Sequence, residues 1–200
     1  MKLRHVALLL ALSASAHAQE ELPPDEPREE SWTVPTLHGL GLMTSMRLGA
    51  ALIWPEPFAD TRPAFWAESY ELAFTKPPRW DSSERFFEWD GDPWYVNAVG
   101  HALFGSELQL RARACRKSAA VALLFTAAGS TLWEYGFEAN AVRPSALDLV
   151  YTPLAGFVLG ETRYALWSAA RSLDDRGFRA VLSAILDPFG DLERALGTPC

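Results

Sequence analysis

Cysteine is scarce in this sequence. The 200 residues include two cysteines, Cys115 and Cys200, and the second is the last residue of the chain. Two cysteines are too few for the disulfide framework of a small secreted scaffold. A domain of this size can also bury enough apolar surface to fold without one. We therefore interpret both residues as idle thiols, although an oxidising compartment would allow them to pair.

Several motifs of catalytic sites are also missing. The sequence contains no Glu-x-x-His pair and no His-Glu-x-x-His run, which argues against a ferritin-type di-iron site and against a zinc peptidase. Ser106 or Ser130, together with His101 and a carboxylate, would supply the residue types of a catalytic triad. The Gly-x-Ser-x-Gly elbow that holds such a nucleophile is absent, which argues against this class of hydrolase.

The amino-terminal apolar run is too short to cross a bilayer, which takes about 20 residues. Lys2 and Arg4 precede an apolar run from Val6 to Leu12, and Ala16-His17-Ala18 follows it. This order of a charged, an apolar and a small-residue region is typical of a secretory signal peptide. We predict a signal peptide over residues 1–18 and an exported protein of the periplasm or cell envelope.

The chain has no basic excess. Its 18 Lys and Arg residues face 25 Asp and Glu residues, which gives a net charge of −7, and removal of the signal peptide makes the remainder more acidic. This balance argues against a nucleic-acid partner. Residues 19–35 begin with an acidic, proline-rich stretch that is predicted to be flexible. Residues 36–200 then form a single predicted domain.

The apolar pattern predicts an all-α fold, a compact helical bundle of about three main helices plus shorter flanking helices. We find no strand pattern and no internal repeat. The main helices are predicted over 93–114, 118–138 and 144–171, and the shorter ones over 36–54, 62–74, 176–186 and 190–196. An aromatic-rich loop over 76–92 separates the first two short helices from the main helices. Trp and Phe number eight and eleven, which suits a dense core or contact with a membrane surface.

Capping residues mark where the main helices begin. Asp92 before Pro93 and Ser118 before an apolar run are both typical helix starts. Ser145 followed by Asp148 has the spacing of a capping box. Pro153 lies well inside the third main helix and is expected to kink it near Leu149.

The second main helix is the most apolar of the predicted helices. Residues 119–133 carry no charge, and a helix that is apolar all round is either buried or in lipid. We predict that it is buried in the core. Gly156 and Gly160 on the third helix, one turn apart, are expected to let another helix come close.

Polar residues recur at helical spacing within these apolar helices. Asn97 and His101 share one face of the first main helix. Ser130, Glu134 and Glu138 form a stripe on the second, with Thr126 one turn earlier. Facing helices that present His, Glu and Asp are how bundle metal sites are built. A site for a cation held by His101, Glu134 and Glu138, with Asp148 nearby, is therefore one hypothesis.

Structural roles explain the same residues. Arg111 or Arg113 would pair with Glu134 or Glu138 in a buried ion network, because a buried charge needs a partner. Glu161 would pair with Arg163 or Arg113. Asp148 would only close its capping box, and Asn97 would hydrogen-bond the backbone freed at Pro153.

The order of residues resembles the bacterial domain-of-unknown-function family 3943. The matching residues are Trp80-Asp81, Asp92-Pro93-Trp94-Tyr95-Val96-Asn97-Ala98-Val99-Gly100-His101, Gly105-Ser106, Ala112-Arg113, Ser130, Trp133-Glu134-Tyr135, Glu138, Pro144-Ser145, Asp148-Leu149, Thr152-Pro153, Gly156 and Leu159-Gly160-Glu161. They cover residues 77–171, and the resemblance extends to a tail over 187–197. The family's pattern tends to have Pro after the His, where this chain has Ala102. The resemblance implies an envelope protein without assigned activity, cofactor or substrate.

We therefore expect one buried polar centre. Its predicted members are Asn97, His101, Ser106, Arg113, Ser130, Glu134, Glu138, Asp148 and Glu161. In the first hypothesis this centre is structural, or docks a lipid or an envelope protein. In the second, His101, Glu134 and Glu138 hold a cation in a metal-assisted hydrolase or lipid-modifying enzyme.

Overall fold

A computed structural model of the chain describes residues 30–195 and residue 200, and these residues fold into a helical bundle. The helices are α1 Thr33–Ile53, α2 Pro55–Phe58, α3 Pro63–Thr75, α4 His101–Ala114, α5 Ala119–Leu132, α6 Ala146–Arg171, α7 Arg176–Leu186 and α8 Pro188–Ala195. The all-α prediction is confirmed. The predicted signal peptide and most of the predicted flexible segment lie outside the described residues.

The loop before α4 is tied to the start of α6. Within the described ranges, the extended pairing is a single bridge between Arg79 and Ser145. The Arg79 N–H donates to the carbonyl of Pro144 at 2.6 Å, and the Ala146 N–H donates to the carbonyl of Arg79 at 3.0 Å. This bridge holds an otherwise irregular loop against the amino-terminal end of α6.

Two predicted caps form as the sequence indicates. The Ser118 hydroxyl accepts a hydrogen bond from the Val121 N–H at 3.3 Å, at the start of α5. The Ser145 hydroxyl accepts one from the Asp148 N–H at 3.1 Å, at the start of α6. Each cap satisfies a backbone donor that the first helical turn leaves free.

Two π-helical turns interrupt the predicted α-helical pattern. One, Val96–Gly100, leads into α4, and the other, Trp133–Glu138, continues α5. Such turns are uncommon and occur often at functional sites. Asn97 lies on the first turn, and Glu134 and Glu138 lie on the second. The wider turns therefore carry several of the residues predicted for the polar centre.

Glycines let α4 and α6 pack at backbone distance. A Cβ atom added to Gly156 would lie 2.5 Å from the carbonyl carbon of Gly105, and one added to Gly160 would lie 2.6 Å from Cβ of Gln109. This confirms the predicted close approach at Gly156 and Gly160. It also makes α4 the central helix of the bundle, because α1, α5 and α6 all pack against it.

The outward side of the apolar helix α5 is more exposed than the sequence predicts. Leu124 on α5 is 70% exposed, and Val121 and Leu132 are also exposed. On α4, by contrast, Glu107 and Arg111 are buried. The prediction that the uncharged helix forms the core is therefore wrong for its outer side. By length and mean hydropathy, none of the helices in the described ranges is suited to cross a membrane.

The two cysteines are joined in the structure. Cys115, at the end of α4, forms a disulfide with Cys200. Our interpretation of two idle thiols is therefore wrong. The sequence separation of 85 residues concealed the pairing, since only the fold brings the chain's last residue back to α4.

Candidate metal centre

Three elements bring His101, Glu134 and Asp148 together. His101 begins α4, Glu134 lies on the π turn after α5, and Asp148 lies in the first turn of α6. One potential ligand atom from each residue lies within 4.8 Å of the other two. The three residues are between 1% and 4% exposed. The arrangement is thus a buried cluster of one imidazole and two carboxyl groups.

The carboxyl group of Asp148 is not used in capping. In a capping box the acidic side chain accepts a hydrogen bond from the backbone N–H of the cap residue. Here the Ser145 N–H donates instead to Oε2 of Glu134, at 2.7 Å. The expectation that Asp148 only closes a capping box is therefore wrong, and its side chain is available to the cluster.

His101 is held in its neutral form. Its Nδ1 lies 2.9 Å from the Thr152 hydroxyl and 3.7 Å from Oδ1 of Asp148. Burial lowers the pKa of His101 to about 4, against the attraction of nearby Asp90. A neutral imidazole has a free lone pair and is the form that binds metals.

The loop before α4 contributes Asp90, which the sequence analysis missed. The Asn97 side chain donates to Oδ1 of Asp90 at 2.7 Å and to the carbonyl of Phe87 at 2.9 Å. The prediction that Asn97 bonds the backbone near Pro153 is therefore wrong. The only sequence signal for Asp90 was its place two residues before Asp92, in a segment without helical periodicity.

Four oxygen atoms at this centre have no hydrogen-bond donor among the described residues as long as the carboxyl groups are ionised. They are Asp90 Oδ2, Asn97 Oδ1, Glu134 Oε1 and Asp148 Oδ1, and all four are buried. An oxygen buried without a partner loses its bonds to water, at a cost of roughly 1 to 3 kcal/mol. Such atoms are satisfied either by protons on the carboxyl groups or by a positive group that the acids share.

The acids of the centre are held protonated when no cation is present. Burial first, and then neighbouring Asp90, raise the pKa of Asp148 to about 9. Burial and the charges of Glu138 and Asp148 raise the pKa of Glu134 well above its usual value. Asp90 differs from these acids. Burial opposes its charge, but its hydrogen bonds, the strongest of which is to Asp148, outweigh this effect and lower its pKa. Asp148 and Asp90 therefore share a proton that a cation would displace.

Glu138 lies beside the cluster, and the three residues whose potential ligand atoms approach one another most closely include Asp148 in its place. Burial, together with the charges of Asp92 and Asp90, raises the pKa of Glu138 to about 8. Burial and Asp90 likewise raise the pKa of Asp92 to about 6. Glu138 adds to the acidity around the cluster, while the sequence hypothesis made it one of the ligands.

Ser130 on α5 forms a hydrogen bond to the backbone of the cluster residue Asp148. Its hydroxyl donates to the backbone carbonyl of Asp148 at 3.1 Å and so ties α5 to the first turn of α6. Ser130 is thus a positioning residue for Asp148.

Three other predicted members of the polar centre have partners outside this cluster. Arg113 pairs with Glu161 at 3.1 Å, as one of our alternatives proposed. The Ser106 hydroxyl accepts a hydrogen bond from Arg163 at 2.8 Å. His101 and Arg113 are twelve residues apart on α4, a rise of about 18 Å. The prediction of one convergent centre therefore holds for part of the set and fails for these three residues.

Arg111 belongs to a buried ion network at that same end of α4. It pairs with Asp187 at 2.6 Å, Glu193 at 2.8 Å and Glu107 at 3.3 Å. Arg163 completes the network by pairing with Glu107 at 2.7 Å. The prediction that Arg111 or Arg113 pairs with Glu134 or Glu138 is therefore wrong, because both arginines pair with other acids.

The fold and this centre define an all-α domain with a buried cluster of carboxyl groups and one histidine. The chain belongs to the family described as Domain of unknown function (DUF3943), which it matches over residues 86–189. The matched range includes Asp90, Asn97, His101, Glu134 and Asp148. No curated protein and no solved structure matches the chain.

Proposed function

We propose that this protein is an exported cell-envelope domain that binds one divalent cation at His101, Glu134 and Asp148. The observation that carries the proposal is the set of four buried oxygen atoms without a donor at this centre. A divalent cation would satisfy several of these acceptors at once, in place of the protons that the acids otherwise hold. It would also remove the cost of burying acids without partners.

The ligand types favour a first-row metal such as Zn²⁺ or Mn²⁺. Imidazole suits Zn²⁺ and carboxylate oxygens suit Mn²⁺, whereas Mg²⁺ and Ca²⁺ prefer oxygen ligands alone. Ligand atoms about 2.0 to 2.2 Å from zinc lie about 3.3 to 3.6 Å apart in a tetrahedron. The present groups, within 4.8 Å of one another, would have to draw together by at most about 1.5 Å. Asp90 and Asn97 supply further oxygens next to them.

The burial of the ligands favours a structural centre over a hydrolytic one. A catalytic metal keeps an open position for water or substrate, and the three residues are no more than 4% exposed. A metal here would join the start of α4, the π turn after α5 and the start of α6. It would therefore stabilise the bundle, in line with our hypothesis of a non-catalytic envelope protein.

Location in the envelope is supported by two features. The predicted signal peptide indicates export, and disulfides such as Cys115–Cys200 persist in oxidising compartments outside the cytoplasm. Neither feature depends on the metal centre, so this part of the proposal has its own test, which is fractionation of cells that produce the protein.

Metal content and thermal stability test the centre. We expect about one zinc or manganese ion per chain in the purified protein, and a loss of at least about nine tenths of it in His101→Ala, Glu134→Gln and Asp148→Asn. Zinc added to the metal-free protein should raise the midpoint of unfolding, because a ligand at 100 times its Kd stabilises by about 2.7 kcal/mol. The three variants should show no such rise.

Two matched controls sharpen the experiment. Glu161→Gln removes a carboxylate outside the proposed centre, which pairs with Arg113, and should bind metal as the parent does. Glu138→Gln should also retain the metal, which separates the observed ligand set from the one predicted from sequence. If the parent holds no metal and Glu134→Gln is as stable as the parent, the centre is a set of protonated acids and the proposal fails.

A further inference from the structure

Three adjacent helices share an apolar outward surface, here called the outer face. Its large exposed residues are Leu37, Leu40, Leu48 and Leu52 on α1, Val121, Leu124 and Leu132 on α5, and Val150, Leu154, Val158 and Leu166 on α6. The Trp32 and Phe125 rings lie 5.5 Å apart, where the start of α1 meets α5. The hydrogen bond from Ser130 to Asp148 joins α5 to α6. The outer face therefore runs across neighbouring helices.

No charged side chain is exposed along these three helices. Every charged residue of α1, α5 and α6 is at least partly buried. Arg47 turns inward to the carbonyl of Phe137 at 3.0 Å, and Arg163 turns inward to Glu107. The helices of a water-soluble bundle show the opposite arrangement, with charges outward and apolar residues inward. This inverted polarity indicates that water does not cover the outer face.

Four exposed hydroxyl groups on these helices donate to the backbone of their own helix. Thr44 donates to the carbonyl of Leu40 at 2.8 Å, and Thr162 donates to that of Val158 at 2.7 Å. Ser45 and Thr131 make the same bond to the carbonyl four residues earlier. In an apolar solvent a hydroxyl must find such an internal acceptor, because no water is available.

We infer that the hydrocarbon of a lipid membrane covers the outer face. A protein partner is a poorer fit, because protein interfaces carry about one hydrogen bond per 100 to 200 Å², and the hydroxyls of Thr44, Ser45, Thr131 and Thr162 already donate to their own helices. Trp32 and Trp54 stand immediately before and after α1, and both are exposed. Tryptophan favours the boundary between hydrocarbon and water. The chain's net charge of −7 gives no electrostatic attraction to anionic lipid, so the contact is apolar.

The outer face is compatible with the modest mean hydropathy of the helices. Each helix-wide mean combines the apolar outward side with the inward side, which carries groups such as His38, Glu161 and Arg163. Lipid contacts only the outward side. The inference therefore concerns one side of the bundle, and it does not depend on the cation proposed for the centre.

Flotation with vesicles of phosphatidylcholine tests the inference. These vesicles carry no net charge, so the bound fraction reports apolar contact. We expect the mature chain, residues 19–200 without the apolar signal peptide, to float with them. Leu124→Lys and Leu154→Lys, whose parent side chains are 70% and 57% exposed, should each reduce binding by about tenfold or more, because burying a leucine side chain in hydrocarbon is worth at least that factor.

Leu72→Lys is the matched control, since Leu72 is exposed on α3, outside the outer face. It should float as the parent does. Circular dichroism should show that all three variants keep the parent's helicity. The inference is overturned if the parent does not float. It is also overturned if, without lipid, the parent is a dimer that the two outer-face variants convert to monomer, because a second copy would then cover this face.

Discussion

Two buried acids of this protein, Glu107 and Asp148, differ in whether they are ionised. Glu107 faces Arg111, Arg163 and His38, and although burial opposes its charge, these partners lower its pKa to about 2. Asp148 faces Asp90 instead, and burial with this like charge raises its pKa to about 9. The first acid is ionised and fully paired, which is a structural arrangement. The second keeps a proton unless a cation takes its place.

His38 provides a pH-dependent contribution to stability at the residue scale. It lies 2.8 Å from Glu193 and 3.4 Å from Glu107. Burial opposes its charge, but the hydrogen bonds to these two glutamates raise its pKa above the ordinary 6.5. Its contribution is therefore fully present below pH 6.5 and is lost as pH rises through the higher folded-state pKa.

We expect His38→Gln to be less stable than the parent below pH 6.5, and the difference to shrink at higher pH. Chemical denaturation of both proteins across this range measures it. Comparing the two proteins at each pH cancels the titration of the acids at the metal centre. A difference that is constant with pH would show that His38 is neutral in the folded protein, which contradicts the account.

Sequence reasoning identified His101, Glu134 and Asp148 because each interrupts an apolar helix. It missed Asp90, since a loop acid has no periodic background to stand out from. It also assigned Arg111 the wrong partners. Asp187 lies 76 residues away in the chain, and nothing in helical spacing connects it to Arg111.

At the scale of elements, the contact between α4 and α6 sets the position of the centre, because the two helices carry His101 and Asp148. Gly105 and Gly156 meet backbone to backbone. Spacing alone indicated that glycines would allow a close approach. The π turns at Val96–Gly100 and Trp133–Glu138 had no such signal, since the sequence fits an ordinary α-helix there equally well.

Gly156→Val should destabilise the bundle by about 1 to 3 kcal/mol or more, because its side chain has no space against Gly105. It should also weaken metal binding by displacing α6 from α4. Thermal unfolding measures the first effect and zinc titration the second.

Gly49→Ala is the control, since a Cβ atom there meets nothing within 4 Å. It should raise the stability of α1 by roughly 0.5 to 1 kcal/mol, the ordinary difference between glycine and alanine in a helix. If both substitutions had the same effect, close packing at Gly156 would not determine the geometry.

At the scale of the whole molecule, the inverted polarity was the least predictable feature. Composition indicated many apolar residues and some buried polar ones, and the helices were predicted well from caps and periodicity. Which side of each helix faces inward depends on the neighbours. The polar side of α5 faces Asp148 and Gln109 on adjacent helices, and its apolar side is left outward.

The disulfide closes the molecule from α4 to the end of the chain. Because Cys115 and Cys200 are 85 residues apart, removing the link should cost about 4 kcal/mol by loop-closure entropy. Cys115→Ser with Cys200→Ser should lower the free energy of unfolding by this amount in non-reducing buffer. In reducing buffer the parent should match the double variant; a parent that is unaffected by reductant would contradict the pairing.

The most direct test of the metal centre is a crystal of the zinc-loaded protein measured at the zinc absorption edge. The account predicts one anomalous peak per chain, about 2.0 to 2.2 Å from a nitrogen of His101 and from carboxylate oxygens of Glu134 and Asp148. A peak located elsewhere, or none at this centre in a crystal that contains zinc, would contradict it.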